Sequence, residues 1–280
     1  MTKKLIIAEK PSVAADIAKA LGGFTKHDDY FENDTHVISS AVGHLLELSC
    51  PEEFEVKRGK WSFAHLPVIP PHFALSPIEK TESRLKVLNK LIKRKDVDGL
   101  INACDAGREG ELIFNYIAQH SKSGKPVQRL WLQSMTQGAI RDGFSRLRPG
   151  REMEGLGDAA VCRSESDWLV GINGTRAMTA FNSKTGGFHL TTVGRVQTPT
   201  LAIVVEREKR IREFKSRPYW EVEASFAAKA GDYNGKWFDE AFKGKNDDEH
   251  ARADRLWEEK RADAIRAATI GKPGIVTEES

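Results

Sequence analysis

Leu5-Ile6-Ile7-Ala8-Glu9-Lys10-Pro11-Ser12 reads as a buried strand that ends on an acid and turns into a helix. An unbroken apolar run suits a strand covered on both faces. Val13, Ile17, Ala18 and Leu21 then recur at helical spacing, and Gly22-Gly23 stops the helix. The same order returns at Gly99-Leu100-Ile101-Asn102-Ala103-Cys104. That strand ends at Asp105 and passes through Gly107-Arg108-Glu109-Gly110 into a helix with Leu112, Ile113, Tyr116 and Ile117 on its apolar side. Further strands are predicted over 36–42 and 130–132. A basic helix is predicted over 83–95, and a helix carrying Ile140, Phe144 and Leu147 opens at Thr136. A loop rich in proline and aromatics covers 50–77. Strands alternating with helices predict an α/β class with a mostly parallel sheet covered on both faces.

Beyond Arg148-Pro149-Gly150 the pattern becomes helical, over 159–173, 175–182 and 199–213. From Pro218 it changes again: Trp220, Val222, Ala224 and Phe226 alternate as in a half-exposed strand. Residues 243–272 are charge-dense. The predicted division is an α/β domain over 1–150, a helical segment over 151–215 and the start of a β-containing region over 216–280.

The 280 residues are 40% hydrophobic and 30% charged, which excludes global disorder and fibrous classes. With 43 basic against 40 acidic residues the net charge is only +3, so any nucleic-acid surface must come from local clustering. No apolar run approaches the roughly 18 residues of a membrane span. The apolar stretch of the N-terminus is interrupted by Glu9, unlike a signal peptide. Cys50, Cys104 and Cys162 have neither paired spacing nor an even count, which favours a reducing, cytoplasmic setting over a disulfide framework.

Strand ends in a parallel sheet face one crevice, so Glu9 and Asp105 are expected to be neighbours despite their separation in sequence. Glu109 and Glu111 could add carboxylates from the first helical turn. Such acids repel by about 4 kcal/mol per pair at ~4 Å and an effective dielectric of about 20. A divalent cation relieves this, and oxygen ligands without Cys or His favour Mg²⁺ or Mn²⁺. Lys10 and Arg108 beside the acids suit phosphodiester chemistry. The alternative is that Glu9 only caps a helix and Asp105 only begins a turn. The Gly107 segment lacks the Gly-Lys-Ser/Thr ending of an ATP-binding loop, so no nucleotide cofactor is expected.

Several stretches, in order, resemble one family: Leu5 to Ser12, Ser40-Ala-Val-Gly-His-Leu45, Trp61 with Leu66-Pro-Val-Ile-Pro70, and Asp105-Ala-Gly-Arg-Glu-Gly-Glu-Leu-Ile113. The series continues with Arg163-Ser-Glu-Ser-Asp-Trp-Leu-Val-Gly-Ile-Asn173, Thr175-Arg176 and Val193-Gly-Arg-Val-Gln-Thr-Pro-Thr-Leu201. The N-terminal half resembles a Toprim domain, with its Rossmann-like parallel sheet. The chain as a whole is similar to type IA DNA topoisomerases of the bacterial topoisomerase III branch, with a helical DNA-binding segment and the start of a β-rich gate domain.

The resemblance implies Mg²⁺-dependent cleavage of one DNA strand through a tyrosyl-phosphate bond, strand passage and resealing, for relaxation or decatenation. It implies Glu9 as general acid/base and metal ligand, Lys10 and Arg108 at the scissile phosphate, and Asp105 and Glu109 as metal ligands. The family's middle acid is Gly107 here, which favours one Mg²⁺ over two. Arg195 would bind the phosphate or oxyanion. Arg163, Asp167, Trp168 and Arg176 would line a single-strand groove, with Thr191, Thr192, Val193, Gly194, Arg195 and Val196 as a DNA-contacting loop. His44 and Trp61 would flank the crevice. Without the resemblance, Trp168 beside Leu169 and Val170 fits core packing, Arg163 with Asp167 fits a solvated i,i+4 pair, and His44 fits a histidine bonded to backbone.

The implied partner is single-stranded DNA, or DNA with single-stranded regions, bound by a monomer without a membrane and near cytoplasmic nucleoid or plasmid DNA. The family's nucleophile is a tyrosine followed closely by Arg-Thr. None of the four tyrosines, Tyr30, Tyr116, Tyr219 and Tyr233, has that context. The chain is therefore expected to stop before the nucleophile and to be inactive in cleavage alone. Two alternatives remain: a single-strand-binding remnant, and a Toprim nuclease or primase.

Overall fold

The computed structural model describes residues 2–57, 60–244 and 250–276. The elements in order are β1 (Lys3–Ala8), α1 (Pro11–Leu21), β2 (Thr25–Lys26), β3 (Phe31–Glu32), β4 (His36–Ser40), β5 (Leu46–Ser49), β6 (Ala74–Pro77) and α2 (Glu82–Ile92). They continue with β7 (Val97–Ala103), α3 (Arg108–Ser121), β8 (Val127–Arg129), α4 (Gln137–Ser145), β9 (Arg148–Pro149) and α5 (Glu154–Asn182). Last come α6 (Gln197–Glu213), β10 (Glu223–Ala228), β11 (Gly231–Lys236) and α7 (Glu259–Thr269). The chain forms two compact units, Met1–Ile203 and Val204–Ser280.

The first unit is built on a seven-stranded sheet in the order β2-β3-β4-β1-β7-β8-β9. Its central strands β4, β1, β7 and β8 are parallel, and the edge pairings are antiparallel. Alternation along β1 divides the core. Leu5 and Ile7 pack with Leu85, Leu88, Ile113 and Ile117 of α2 and α3. Ile6 and Ala8 point to the other face, with Ile17 of α1 and Ile140 of α4. Burying each such Leu or Ile stabilises the fold by roughly 1.5–3 kcal/mol. This two-faced burial explains why β1 reads as a continuous apolar run rather than an alternating one.

Several boundaries depart from the sequence reading. The strand expected over 130–132 lies at Val127–Arg129, where Leu100, Ile101 and Asn102 of β7 provide the parallel partners. β4 stops at Ser40 rather than 42; the chain then turns at Gly43, whose φ of 85° suits glycine. The loop over 50–77 contains β6, paired with β5. The helices expected over 159–173 and 175–182 are one helix, α5. Gly174 does not break it, because Val193 packs into the space a side chain there would take.

In the second unit β10 and β11 form an antiparallel hairpin, and the strand expected from Trp220 begins at Glu223 instead. Trp220 makes an isolated bridge with Leu256. The charge-dense stretch over 243–272 contains α7, while its residues 245–249 lie outside the described residues. No helix among the described residues is long and apolar enough to cross a membrane.

Candidate functional site

The adjacent parallel strands β1 and β7 run in register from Leu5↔Leu100 to Ala8↔Ala103, so the residues that follow emerge at one edge of the sheet. Asp105 N–H donates to Glu9 Oε2 at 3.3 Å. Lys10 Nζ donates to Asp105 Oδ2 at 3.2 Å and lies 3.8 Å from Glu9 Oε1. The hydrogen bond to Asp105, and then the charges of Asp105 and Glu9, hold the Lys10 ammonium above the ordinary lysine range. Glu9 is largely shielded, with 13% of its side chain exposed, whereas Lys10 and Asp105 are open to solvent at 54% and 55%. The turn at Gly43 is fixed by its N–H to Glu9 O at 3.2 Å, and His44 follows it. His44 Nε2 stands 3.5 Å from Glu109 Oε2. Arg108 is exposed in the first turn of α3.

This geometry bears on the metal. Glu9 and Asp105 offer hard oxygen donors, which fit a Mg²⁺ ion that keeps several of its waters. Among the described residues, however, no three His, Cys, Asp or Glu side chains converge as a metal-holding group. Glu109 is turned to His44 instead of joining Glu9 and Asp105. Glu111, which the sequence offered as a further acid, is buried and bonded to Arg129 through Nε–H···Oε1 at 2.6 Å. The supporting cluster of Asn102, Glu111 and Arg129 was missed in the sequence. The available signal was Asn102 inside the apolar run 99–104, with Glu111 and Arg129 of opposite charge each just before an apolar run.

The remaining candidates gather along α5. Asp167 accepts from Arg195 Nη1 at 3.1 Å and lies 3.6 Å from Arg163 Nε. Trp168 is half-buried, edge-on to Phe73 at 5.6 Å. The loop carrying Thr191 to Val196 is stitched to α5. Thr191 N–H donates to Thr179 Oγ1 at 3.0 Å, Asn182 donates to Thr191 Oγ1 at 2.7 Å, and Val193 N–H donates to Thr175 Oγ1 at 3.0 Å. Gly194 N–H donates to Thr198 Oγ1 at 3.1 Å, while Thr192 and Val196 are exposed.

Arg176 is different. It is only 7% exposed and donates to Phe54 O at 2.8 Å, with Trp61 stacked 5.8 Å away. Trp61 in turn donates to Val56 O. Arg176, expected in the groove, has its guanidinium on Phe54 O and beside the Trp61 ring, where it supplies a donor to a carbonyl that α5 covers.

Residues 4–135 match the Toprim domain family, and residues 151–278 match the family described as DNA topoisomerase. The chain is 43% identical over 225 residues to DNA topoisomerase 3 of Bacillus cereus (strain ATCC 10987 / NRS 248), covering 80% of this chain and 30% of that protein. It is 42% identical over 226 residues to DNA topoisomerase 3 of Bacillus subtilis (strain 168), with the same coverage of 80% and 30%. The chain thus spans 30% of the length of these relatives. In fold it is similar to full-length topoisomerase I from Thermotoga maritima, at 19% identity and a TM-score of 0.58 over 94% of this chain and 37% of that one. The two family matches lie side by side with the sheet in one and α5, α6 and the hairpin in the other, and the chain belongs to the type IA DNA topoisomerases, in the bacterial topoisomerase III branch.

Proposed function

We propose that this chain carries the phosphate-handling and strand-binding part of a type IA topoisomerase reaction, in which one DNA strand is cut, another is passed and the first is resealed. The single observation that carries this reading is the Glu9–Lys10–Asp105 cluster at the ends of β1 and β7. Glu9 and Asp105 would hold one Mg²⁺, which when bound supplies charge neutralisation at the phosphate. Glu109 stays with His44 and would join only through bound water. Lys10 and Arg108 would neutralise the non-bridging oxygens of the scissile phosphate, and shielded Glu9 would hold or move a proton at the leaving oxygen. Arg195, clasped by Asp167, would meet the same strand.

The partner is DNA with single-stranded regions, in the cytoplasm. The chain acts as a monomer without a nucleotide cofactor. The single-strand groove comprises Arg163, Asp167, Trp168, Arg195 and the exposed loop residues Thr192 and Val196. The functional domains are 1–150, 151–215 and 216–280.

Binding without cleavage is the reading for residues 1–280 alone. Tyr116 is buried, its hydroxyl bonded to Ser164 Oγ at 3.2 Å, and burial raises its pKa. Tyr30 is stacked on His27, Tyr233 on Phe226, and Tyr219 lies edge-on to Trp257. Calorimetry should therefore show Mg²⁺ binding that weakens in Glu9→Gln and in Asp105→Asn, and end-labelled DNA should not stay attached to the chain after denaturation. Wild-type binding in both variants would remove the metal assignment. A covalent adduct abolished by a Tyr→Phe change would place a nucleophile within this chain.

A further inference from the structure

The carbonyls of residues 102, 104 and 105, where β7 runs out into the acid cluster, converge on one buried side chain. Arg129 is 1% exposed. Its Nη1 donates to Asn102 O at 3.1 Å, Cys104 O at 2.7 Å and Leu130 O at 2.8 Å, and its Nη2 donates to Asp105 O at 2.8 Å. Its Nε donates to Glu111 Oε1 at 2.6 Å. Glu111 is held from its other oxygen by Asn102 Nδ2 at 3.1 Å, and Asn102 Oδ1 accepts from Cys104 N–H at 3.0 Å. The Trp131 ring lies 5.1 Å from the guanidinium carbon.

A main chain leaving a strand has several free carbonyls, and each must find a donor if it is buried. Here a single planar fork takes the carbonyls of residues 104 and 105 and adds a second donor to Asn102 O, which also accepts from Leu130 N–H at 2.9 Å. Turning the Asp105 carbonyl inward commits the backbone on either side, which leaves the Asp105 N–H on Glu9 Oε2 and the Asp105 carboxylate on Lys10. A lysine in place of Arg129 would restore the charge opposite Glu111 but cannot reach several carbonyls in one plane.

We infer that Arg129, charge-balanced by Glu111, is a positioning residue that sets the Asp105 carboxylate for the proposed Mg²⁺ and phosphate site by clamping the carbonyls of residues 102, 104 and 105. The inference rests on the metal reading above, so Asp105→Asn serves as the reference. Beside the pair lies a cavity of about 470 Å³ lined by Asn102, Glu111, Phe114 and Arg129, with exposed Arg151 and Glu154 at its rim. A small planar cation can enter there.

The experiment measures Mg²⁺ affinity of the 280-residue chain by calorimetry alongside thermal unfolding, for wild type, Asp105→Asn, Arg129→Lys, Arg129→Ala and the paired variant Arg129→Met with Glu111→Gln. The paired variant removes the clamp without stranding a buried charge, so it guards against simple unfolding. We expect Arg129→Lys and the paired variant to fold and to bind Mg²⁺ roughly 10-fold to 100-fold more weakly. Added guanidinium at low concentration should restore affinity to Arg129→Ala and leave Asp105→Asn unchanged. If Asp105→Asn loses Mg²⁺ while a folded Arg129→Lys or paired variant keeps wild-type affinity, the positioning role is overturned and the metal reading stands. If Asp105→Asn itself binds as wild type, the metal reading fails and the inference falls with it.

Discussion

Gly107 and Gly110 stand in the same short turn and obey different constraints. A Cβ on Gly110 would overlap the Asp105 carbonyl oxygen, whereas a Cβ on Gly107 meets nothing within 4 Å. Gly110→Ala should therefore cost about 3 kcal/mol and disturb the acid cluster, while Gly107→Ala should be close to neutral. Equal denaturation midpoints for the two would contradict the crowding. Ion pairs at the other end of the sheet set an acid limit. Arg94 holds Glu32 at a pKa of about 2, against an ordinary 4.5, and Asp96 at about 2, against 3.8. Both pKa values are depressed on folding, so this stabilisation is complete above about pH 4.5 and is lost as pH falls toward 2. In Arg94→Met, stability should be lower near neutrality and should fall less steeply over that window. An unchanged acid limb in urea titrations would argue against these pairs.

At the scale of elements, the sequence is most informative where burial is two-sided. β1, β7, α1 and α2 are legible because apolar spacing alone fixes them, and Glu9 with Asp105 follows from their ends. β8 was displaced because Leu130-Trp131-Leu132 looks more strand-like than Val127-Gln128-Arg129, yet the latter holds the buried guanidinium. α5 was divided at Gly174 because local propensity outweighed a contact made by Val193, which no helix pattern encodes. The groove residues were legible as types, but that Arg176 turns inward depended on a distant acceptor, Phe54 O. The buried pair gives a test at this scale. Glu111→Ala leaves Arg129 charged and unpaired between α3 and β8, and should cost about 3–5 kcal/mol. A loss under 1 kcal/mol by chemical denaturation would mean that water reaches the guanidinium.

For the whole molecule, net charge is too small to draw in DNA, so the proposed affinity must come from local features. Single-stranded DNA should bind better than duplex and weaken as salt rises, through release of counterions. Trp168→Ala should lose about 1–3 kcal/mol of stacking at every salt concentration, while Arg195→Gln should make the salt dependence shallower. Equal affinity for duplex would count against the groove. The sheet order carries a consequence for synthesis. β1 is made before either of its neighbours, β4 and β7, between which it lies. On the ribosome, β1 keeps an apolar edge unpaired until residues 97–103 have left the exit tunnel. A stalled nascent chain shorter than that exposes Leu5, Ile6 and Ile7 to chaperones and to other chains. Synthesis pauses before that point should raise aggregation more than pauses after it.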